Sequence, residues 1–299
     1  MRMLARSLIV STAFLGPFVH AELYYLIVGG LGGQVKYEER FAAQTEALAD
    51  AARRTLGDDS RVAVLSGDGA SRDALTAELT RLAEVTTAAD SVAIFLLGHG
   101  SYDGEVYKFN LPGPDIDGEA FVQLLAAIPA KKQLVVNTTS ASGAVLEDWS
   151  GDGRTLITAT KSGGERIATR FGEHWTAALS SDEADANKDG VINAQEAFDF
   201  AARKVSDSYE NAGKLATEHP QLVGDGARSF NVALLEARIA TTAELESLLG
   251  ELAVLDEEIK QLRSRRNEMD DDAYLSELQN VLVELALVQR EIDAVRSSE

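Results

Sequence analysis

Residues 91–101 read Ser-Val-Ala-Ile-Phe-Leu-Leu-Gly-His-Gly-Ser, an apolar run that stops abruptly at glycine and histidine. Residues 133–143 repeat this arrangement as Gln-Leu-Val-Val-Asn-Thr-Thr-Ser-Ala-Ser-Gly. A short apolar run without polar alternation is typical of a strand that is buried on both faces, as in a parallel sheet. The two segments therefore predict two strands of one sheet, each followed by polar residues at its carboxyl end.

The same kind of pattern surrounds these two segments. Apolar runs bounded by Gly, Ser, Asp or Asn alternate with stretches of helical spacing. We expect strands over 23–28, 61–65, 91–97, 133–137 and 154–158, and helices over 37–56, 71–85 and 118–128. This alternation predicts an α/β fold whose mostly parallel sheet is covered by helices on both faces. Functional residues gather at the carboxyl ends of strands in such sheets, so the loops after these strands are the candidate site.

Two residues at those strand ends are suited to catalysis. His99 stands between Gly98 and Gly100, and Ser140 follows the strand over 133–137. Neighbouring parallel strands would bring His99 and Ser140 to one edge, where histidine can act as a general base. The glycines leave backbone N–H groups free to hold an oxyanion, with Gly100 and Ser140 as the donors. The alternative is that His99 is an ordinary turn residue satisfied by the backbone.

With these residues in view, the sequence resembles the legumain-like cysteine peptidases, which are relatives of the caspases. The resemblance covers about residues 23–222. It rests on residues 97–100, where an apolar strand runs into His-Gly, and on residues 140–143, which stand where the family has Cys-x-Ser-Gly. Residues 157–166 resemble the family's substrate-pocket strand. The resemblance implies a caspase-like fold, and it implies that Arg40 and Glu165 line the pocket for the residue before the cut.

One departure from that family decides the expected mechanism. Ser140 stands where the family has its nucleophilic cysteine, and the chain contains no cysteine at all. A serine hydroxyl, unlike a thiol, is not ionised near neutral pH and needs a well-oriented base. Asp103 is the acidic residue nearest His99 in sequence, and it is either the orienting carboxylate or a loop residue. His174 and His219 have no evident partners and are expected to face solvent or to lie behind the site.

We therefore interpret the chain as a pseudo-peptidase, a peptidase-like fold that binds a peptide or protein segment without cutting it. The alternative is an active endopeptidase that uses Ser140 with His99. Whether the protein is an enzyme stays open on sequence alone, with the missing cysteine weighing against it.

The apolar strand pattern stops at Phe171. The residues that follow predict a helix–loop–helix, in which residues 185–196 form a complete EF-hand loop. An EF-hand loop places oxygen ligands at positions 1, 3, 5, 7, 9 and 12, with glycine at position 6. Gly190 occupies the glycine position, and the flanking residues have amphipathic helical spacing. The sequence therefore predicts one Ca²⁺ site, with a structural role, whose ligands are Asp185, Asn187, Asp189, Val191 through its carbonyl, Asn193 and Glu196.

The net charge indicates which partners the protein can bind, and the N-terminal residues indicate the compartment to which it is sent. The chain has 28 basic and 48 acidic residues, a formal charge of −20, and no basic patch, so we expect no nucleic-acid partner. Residues 1–21 combine early arginines, an apolar stretch and small residues at the end. They predict a signal peptide cut after Ala21, and hence a secreted or periplasmic protein without a membrane span after its removal. A buried N-terminal helix is the alternative.

Residues 236–299 form the last segment and change composition to Ala, Leu and Glu. Two heptad runs, 245–262 and 278–295, flank the polar turn 267–272 and predict an antiparallel helical hairpin. We expect an α/β domain over 22–235 and this hairpin after it. The hairpin packs on itself or also forms a homo-oligomer seam, because two helices alone leave apolar edges uncovered. An assembly protein that acts through the hairpin is the third functional alternative.

Overall fold

A computed structural model describes residues 21–236, 243–266 and 269–297. Except for Ala21, the predicted signal peptide lies outside the described residues. Contacts divide the chain into two compact units. The first contains the chain up to Ala52 together with Asp59–Leu235, and the second contains Arg53–Asp58 with the chain from Glu236 onward.

Strands and helices alternate along the described residues. The strands are β1 (Leu23–Gly29), β2 (Val62–Leu65), β3 (Ser91–Leu97), β4 (Gly100–Tyr102), β5 (Tyr107–Phe109), β6 (Ile116–Asp117), β7 (Lys132–Asn137), β8 (Arg154–Thr158), β9 (Val191–Asn193), β10 (Gln221–Val223) and β11 (Asn231–Leu234). The helices are α1 (Val35–Leu56), α2 (Arg72–Val85), α3 (Gly118–Ala127), α4 (Leu146–Trp149), α5 (Phe171–Ala178), α6 (Ala194–Asn211), α7 (Ala243–Ser264) and α8 (Asp271–Ser297).

The central sheet has six strands in the order β10-β8-β7-β3-β1-β2. All neighbours in it are parallel except β10, which pairs antiparallel with β8. The predicted mostly parallel α/β sheet is confirmed. Register places Leu97 beside Gly29 and Leu96 beside Asn137, so the carboxyl ends of β1, β3 and β7 meet at one edge. Every loop that carries a predicted catalytic residue starts at this edge.

Helices cover both faces of the sheet because its strands are apolar on both sides. On one face, a core cluster joins the β3 side chains of Val92, Ile94 and Leu96 to residues of α2, α3 and α4. On the other face, Phe95 stacks on Tyr25 at 6.2 Å and meets Trp175 of α5 at 6.4 Å, between ring centroids. Burying one such side chain contributes about 1.5–3 kcal/mol relative to leaving it exposed, which explains why this sheet forms the core.

Helix starts are fixed by side-chain caps that the sequence supplies. Ser71 accepts a hydrogen bond from the backbone N–H of Ala74 at 3.2 Å, so α2 begins immediately after Ser71. Asp117 caps α3 in the same way through the N–H of Ala120, at 2.7 Å. Each cap satisfies an N–H that the helix itself leaves without an intrahelical acceptor.

One expectation about the fold is wrong, since strands do not stop at Phe171. β10 extends the central sheet at its edge, and β9 pairs antiparallel with β11. A separate three-stranded sheet, β4-β5-β6, also lies between β3 and α3 in the chain and was not predicted. These strands are two to four residues long, too short for apolar alternation to emerge.

The second unit contains the predicted helical hairpin, in which α7 and α8 pack on one another. Leu248 of α7 packs with Ile292 of α8, whereas Leu262 packs with Val281. The contact therefore moves backward along α8 as it moves forward along α7, which confirms an antiparallel hairpin. No helix among the described residues has the length and apolar content needed to cross a membrane.

Candidate active-site edge of the sheet

The loops after β3 and β7 lie side by side, as the sequence predicts. The Thr138 N–H donates to the Leu96 carbonyl at 2.9 Å, and the Thr138 hydroxyl donates to the same oxygen, also at 2.9 Å. These bonds extend the pairing of the two strands beyond their ends. His99 and Ser140 are therefore attached to neighbouring points of one rigid edge.

The Ser140 hydroxyl is held by the backbone of Gly100. Ser140 Oγ donates to the Gly100 carbonyl at 3.1 Å, and the Gly100 N–H lies 3.4 Å from the same Oγ. The Ser140 side chain is buried. Among the described residues no hydrogen bond joins Ser140 Oγ to the His99 ring. The predicted nucleophile and base thus share an edge but are not paired, and the Gly100 N–H predicted for an oxyanion points to the serine oxygen instead.

Two backbone features hold this serine loop in place. A Cβ on Gly100 would lie 2.4 Å from the Ser140 carbonyl oxygen and 2.5 Å from Thr139 Oγ1, so only glycine fits. Ala141 is buried with φ +57°, a left-handed conformation that costs a non-glycine residue about 1–2 kcal/mol. Its N–H donates to the Glu165 carbonyl at 2.8 Å, which holds it there.

The His99 ring packs against aromatic rings of α1. Its centroid lies 4.6 Å from Tyr37 and 5.1 Å from Phe41, both in edge-to-face geometry. Burial and the nearby Arg40 cation lower the pKa of His99 below its usual 6.5, while a hydrogen bond to the Gly32 backbone opposes the change. His99 is therefore a neutral imidazole at neutral pH, held by α1.

Arg40, predicted for the substrate pocket, lies beside His99. Its guanidinium stands over the Tyr37 ring at 5.0 Å and the Phe41 ring at 5.2 Å. Its Nε atom is buried and has no hydrogen-bond partner in the described structure. A buried donor without a partner costs about 1–3 kcal/mol, so an incoming carboxylate would relieve that cost. The Lys36 ammonium over the same Tyr37 ring, at 4.6 Å, adds positive charge.

Glu165, the other predicted pocket residue, is occupied by its own chain. Its carboxylate accepts the N–H of His219 at 3.1 Å and the N–H of Lys161 at 3.0 Å, and it also contacts His219 Nδ1. Its carbonyl holds the N–H of Ala141. Glu165 therefore positions the serine loop, and its side chain does not stand free in a pocket. His219 does have a partner, which a lone histidine in sequence gave no means of finding.

The structure also settles the role of Asp103. Its carboxylate accepts the N–H groups of Val106 and Glu105, at 2.8 and 2.9 Å, which closes the turn between β4 and β5. The hydrogen bond from Val106 has the larger effect, and together with the bond from Glu105 it lowers the pKa of the exposed Asp103 carboxyl. Of the two roles considered for Asp103, the structure supports that of a loop residue, and Asp103 does not orient His99.

A buried polar network that sequence reasoning missed lies behind Ser140. The Tyr107 hydroxyl meets Thr139 Oγ1 at 2.6 Å and accepts from Asn137 Nδ2 at 2.9 Å. Burial raises the pKa of Tyr107 to about 12, against the smaller opposing effect of these bonds. Tyr107 begins β5, whereas Asn137 ends β7 and Thr139 follows it two residues later, so no local spacing links Tyr107 to the other two. The three residues make the base of the edge rigid.

The loop predicted as an EF-hand, residues 185–196, has a compact form whose polar groups are bonded to one another. Asp185 is buried, and its carboxylate accepts the N–H groups of Asp189 and Gly190 at 3.2 and 2.9 Å. Gly190 has φ +77°, as the sharp turn requires. Val191 follows in β9, which is paired with β11. The loop is thus held between α5, α6 and a short antiparallel ladder.

The donor chemistry of this loop suits Ca²⁺, because carboxylate, amide and carbonyl oxygens are the ligands that this ion prefers. Glu196 accepts the N–H of Asn187 at 3.3 Å and that of Asn193 at 3.1 Å. Asn193 in turn caps α6 by accepting the N–H of Glu196 at 3.1 Å. The oxygens are thus turned toward N–H groups, and in the described part of the chain no three Asp, Glu, His or Cys side chains are gathered as a metal shell.

A buried carboxylate, Glu218, connects the helix before this loop to the carboxyl edge of the sheet. Glu218 is 1% exposed and accepts the N–H groups of Arg170 and Phe171, at 2.8 and 3.1 Å, where α5 begins. The Tyr209 hydroxyl of α6 donates to it at 3.2 Å. Burial raises the Glu218 pKa, although these hydrogen bonds oppose the rise. The next residue, His219, meets Glu165, so one dipeptide joins both predicted sites.

No protein-family model matches the chain, and no curated protein matches it. Solved structures similar to it include protein GSU0716 from Geobacter sulfurreducens, at 11% identity and TM-score 0.45 over 73% of this chain and 97% of that one. The Drosophila initiator caspase Dronc has 10% identity and TM-score 0.46, covering 69% and 80%. Caspase-1 from Spodoptera frugiperda has 11% identity and TM-score 0.43, covering 68% and 85%.

Two of these three structures are caspases. The likeness concerns the fold alone.

Proposed function

We propose that the α/β unit is a non-catalytic module of caspase- or legumain-like fold that binds a peptide or protein segment at the carboxyl edge of its sheet. The observation that carries the proposal is the state of Ser140. Its hydroxyl donates to the Gly100 carbonyl at 3.1 Å, where a general base would have to stand. A chain without cysteine has no thiol to replace it. Cleavage therefore lacks both a thiolate and an activated hydroxyl.

The chemistry of the edge indicates what kind of segment it would hold. Arg40 offers a buried Nε without a partner beside a neutral His99, so the segment is expected to carry a carboxylate. Leu31, which follows β1, is 43% exposed, and Ile167, which follows β8, is 58% exposed. Exposed apolar side chains at the same edge favour apolar residues next to that carboxylate.

The test is binding of an acidic peptide library to the purified protein, measured by fluorescence anisotropy, with product analysis of the same mixtures. We expect Arg40→Ala to weaken binding of the best peptide about tenfold or more, because a charge-assisted hydrogen bond is lost. Ser140→Ala should retain the affinity, and no cleavage product should form. Arg72→Ala, an exposed arginine of α2, is the matched control and should bind like the unchanged protein.

Two results would contradict the proposal. Peptide cleavage that disappears in Ser140→Ala would establish the endopeptidase instead. Equal affinity in Arg40→Ala and the unchanged protein would remove Arg40 from the site. Arg40→Lys keeps the charge without the planar guanidinium, so it separates recognition by charge from recognition by geometry.

The second part of the proposal is that Ca²⁺ binds the 185–196 loop and stabilises the unit. An all-oxygen donor set, a glycine in the left-handed region and the buried Asp185 support it. When bound, Ca²⁺ would draw the loop oxygens to one point. Asp185 and Glu196 would then exchange their N–H contacts for the ion, while β9 and β11 keep the loop ends fixed.

Thermal unfolding with Ca²⁺ or a chelator tests this part. A ligand at about 100 times its Kd adds about 2.7 kcal/mol to the free energy of unfolding, so the melting temperature should rise by several degrees. Glu196→Gln should abolish the rise, whereas Asp207→Asn, an exposed carboxylate of α6, should keep it. Equal melting of the unchanged protein in Ca²⁺ and in chelator would exclude a stabilising site.

The hairpin supports assembly as an additional role. Its exposed apolar side chains include Val254 at 66%, Leu275 at 59% and Val283 at 53% exposure. Homo-oligomers would cover them. Light scattering after chromatography tests this, and Val254→Glu should convert an oligomer into a monomer while the α/β unit stays folded. A monomeric unchanged protein would refute this role.

A further inference from the structure

The opposite edge of the sheet holds a buried carboxylate, Asp90, at the start of β3. Asp90 is 4% exposed. Its Oδ1 accepts the backbone N–H of Glu22 at 2.7 Å, and its Oδ2 accepts the N–H and hydroxyl of Thr87 at 2.7 and 2.9 Å. The N–H of Ser91 donates to the Glu22 carbonyl at 2.8 Å, so the position of Glu22 is fixed relative to Asp90.

This carboxylate lacks the partner that buried acids normally have. Among the described residues, no Lys, Arg or His side chain forms an ion pair with Asp90. The Arg61 guanidinium is paired with the Glu22 carboxylate. Buried carboxylates are rarely left without a cation, because losing hydration is costly for a charged group. A positive charge at Glu22 N would supply the missing cation.

We propose that Asp90 is the receptor for the α-ammonium group of a chain cut between Ala21 and Glu22. The inference rests on the predicted leader cleavage and is independent of peptide or calcium binding. Hydrolysis of that bond by a leader-removing endopeptidase consumes one water. The Ala21 carbonyl carbon takes the hydroxyl, and Glu22 N leaves as an amine that protonates near neutral pH. The nitrogen already lies 2.7 Å from Oδ1, so the ion pair forms without movement of either residue.

The surroundings can accept the two additional N–H groups of an ammonium. A cavity of about 170 Å³ borders Ala21 and Glu22. Ser91 and Asn231 in its wall carry side-chain oxygens that can accept, whereas Lys132, also in the wall, is a cation that only donates. This volume holds several waters, whose share of the liquid is about 30 Å³ each. The cut would thereby replace a neutral N–H bond by a charge-assisted one and lock the start of β1 to the start of β3.

The experiment compares four proteins that cover the full chain from Glu22. One begins with a free amine at Glu22, one carries an N-terminal extension ending in Ala21, and each is made with Asp90 and with Asp90→Asn. Charge-assisted hydrogen bonds are about twice as strong as neutral ones. We therefore expect the free amine to lower the unfolding equilibrium constant about tenfold relative to the extended chain. Asp90→Asn should remove that difference, because a double-mutant cycle isolates the pair.

Two further measurements guard against a variant that fails to fold. Acetylating the Glu22 amine keeps the N–H and removes the charge, so it should reproduce the loss seen in the extended chain. Asp73→Asn, an exposed acid of α2, should leave the tenfold difference intact. An undiminished difference in Asp90→Asn, or none between free and acetylated amine, would overturn the proposal. So would an exported protein whose mass places its first residue elsewhere.

Discussion

Replacing Gly143 by alanine is the sharpest test of how the serine loop is built. A Cβ at this position would lie 2.1 Å from Ser162 N, 2.3 Å from the Lys161 carbonyl carbon and 2.5 Å from the Thr160 carbonyl oxygen. All three are backbone atoms, so no side chain can rotate away. The φ of Gly143 is not in the left-handed region, so the clash alone should decide the outcome.

The magnitude follows from the distances. Non-bonded heavy atoms sit about 3.5–4.0 Å apart at their optimum, so the two loops would have to separate by roughly 1.5 Å. That movement would break the bond from the Gly143 N–H to Thr160 Oγ1, now 2.8 Å, and strain the 2.8 Å bond from Ala141 to Glu165. Overpacking costs about 1–3 kcal/mol and a lost hydrogen bond about 1 kcal/mol. Alanine also lowers the conformational entropy of the unfolded chain, which stabilises the folded protein by only about 0.4–1 kcal/mol. We expect a net loss of about 1–3.5 kcal/mol.

Urea unfolding followed by tryptophan fluorescence measures this loss. Gly164→Ala is the matched control, because its new Cβ meets only Ser162 Oγ, at 3.5 Å, in the same loop. The control should change the free energy of unfolding by less than about 0.5 kcal/mol. A Gly143→Ala protein as stable as the control would refute the backbone contact between the loops, and with it the account of how Glu165 positions Ala141.

Three further substitutions test the core and the junction between the sites. Tyr25→Phe removes the hydroxyl that donates to the Val232 carbonyl at 2.7 Å, and unfolding in urea should show a loss of about 1–2 kcal/mol. Trp149→Phe removes a fully buried indole and its 2.9 Å bond to the Gly118 carbonyl, so calorimetry should show a loss of about 2–4 kcal/mol. Burial raises the Glu218 pKa above 4.5, so the stability that its carboxyl contributes is fully present below the unfolded pKa and is lost as pH rises through the folded pKa. The stability of the unchanged protein relative to Glu218→Gln should therefore be highest in acid, and a difference that does not vary with pH would contradict this.

Most of the central sheet could be predicted because its strands are long and apolar throughout. The strand predicted over 91–97 is β3 and that over 154–158 is β8, with the same bounds. A run of apolar residues has one stable environment in a soluble protein, which is the buried centre of a sheet or bundle. Strands such as β4 and β10 carry no such signal, because three residues at an edge are specified by the partner strand and not by their own composition.

In the candidate site, the sequence predicts which residues share a sheet edge but not where their side chains point. Parallel strands meet at one edge whatever their side chains do, so sequence alone could place His99 near Ser140. The direction of the Ser140 hydroxyl depends on the backbone of Gly100, 40 residues away, and no local pattern encodes it. The same holds for Arg40, whose stacking on Tyr37 and Phe41 depends on the helical spacing of α1 and on its placement over the sheet.

The dipeptide Glu218-His219 shows why neither predicted site can be understood from its own segment. Glu218 accepts an N–H at the start of α5, the entering helix of the predicted EF-hand loop, while His219 contacts Glu165 beside the serine loop. Two motifs that are separate in the sequence thus share one short connector, in which Glu218 is buried. Glu218 accepts backbone N–H groups at the start of α5, and the N–H of His219 donates to the Glu165 carboxylate. We therefore expect a loosening of α5 to weaken the support of Glu165, and of Ala141 beyond it.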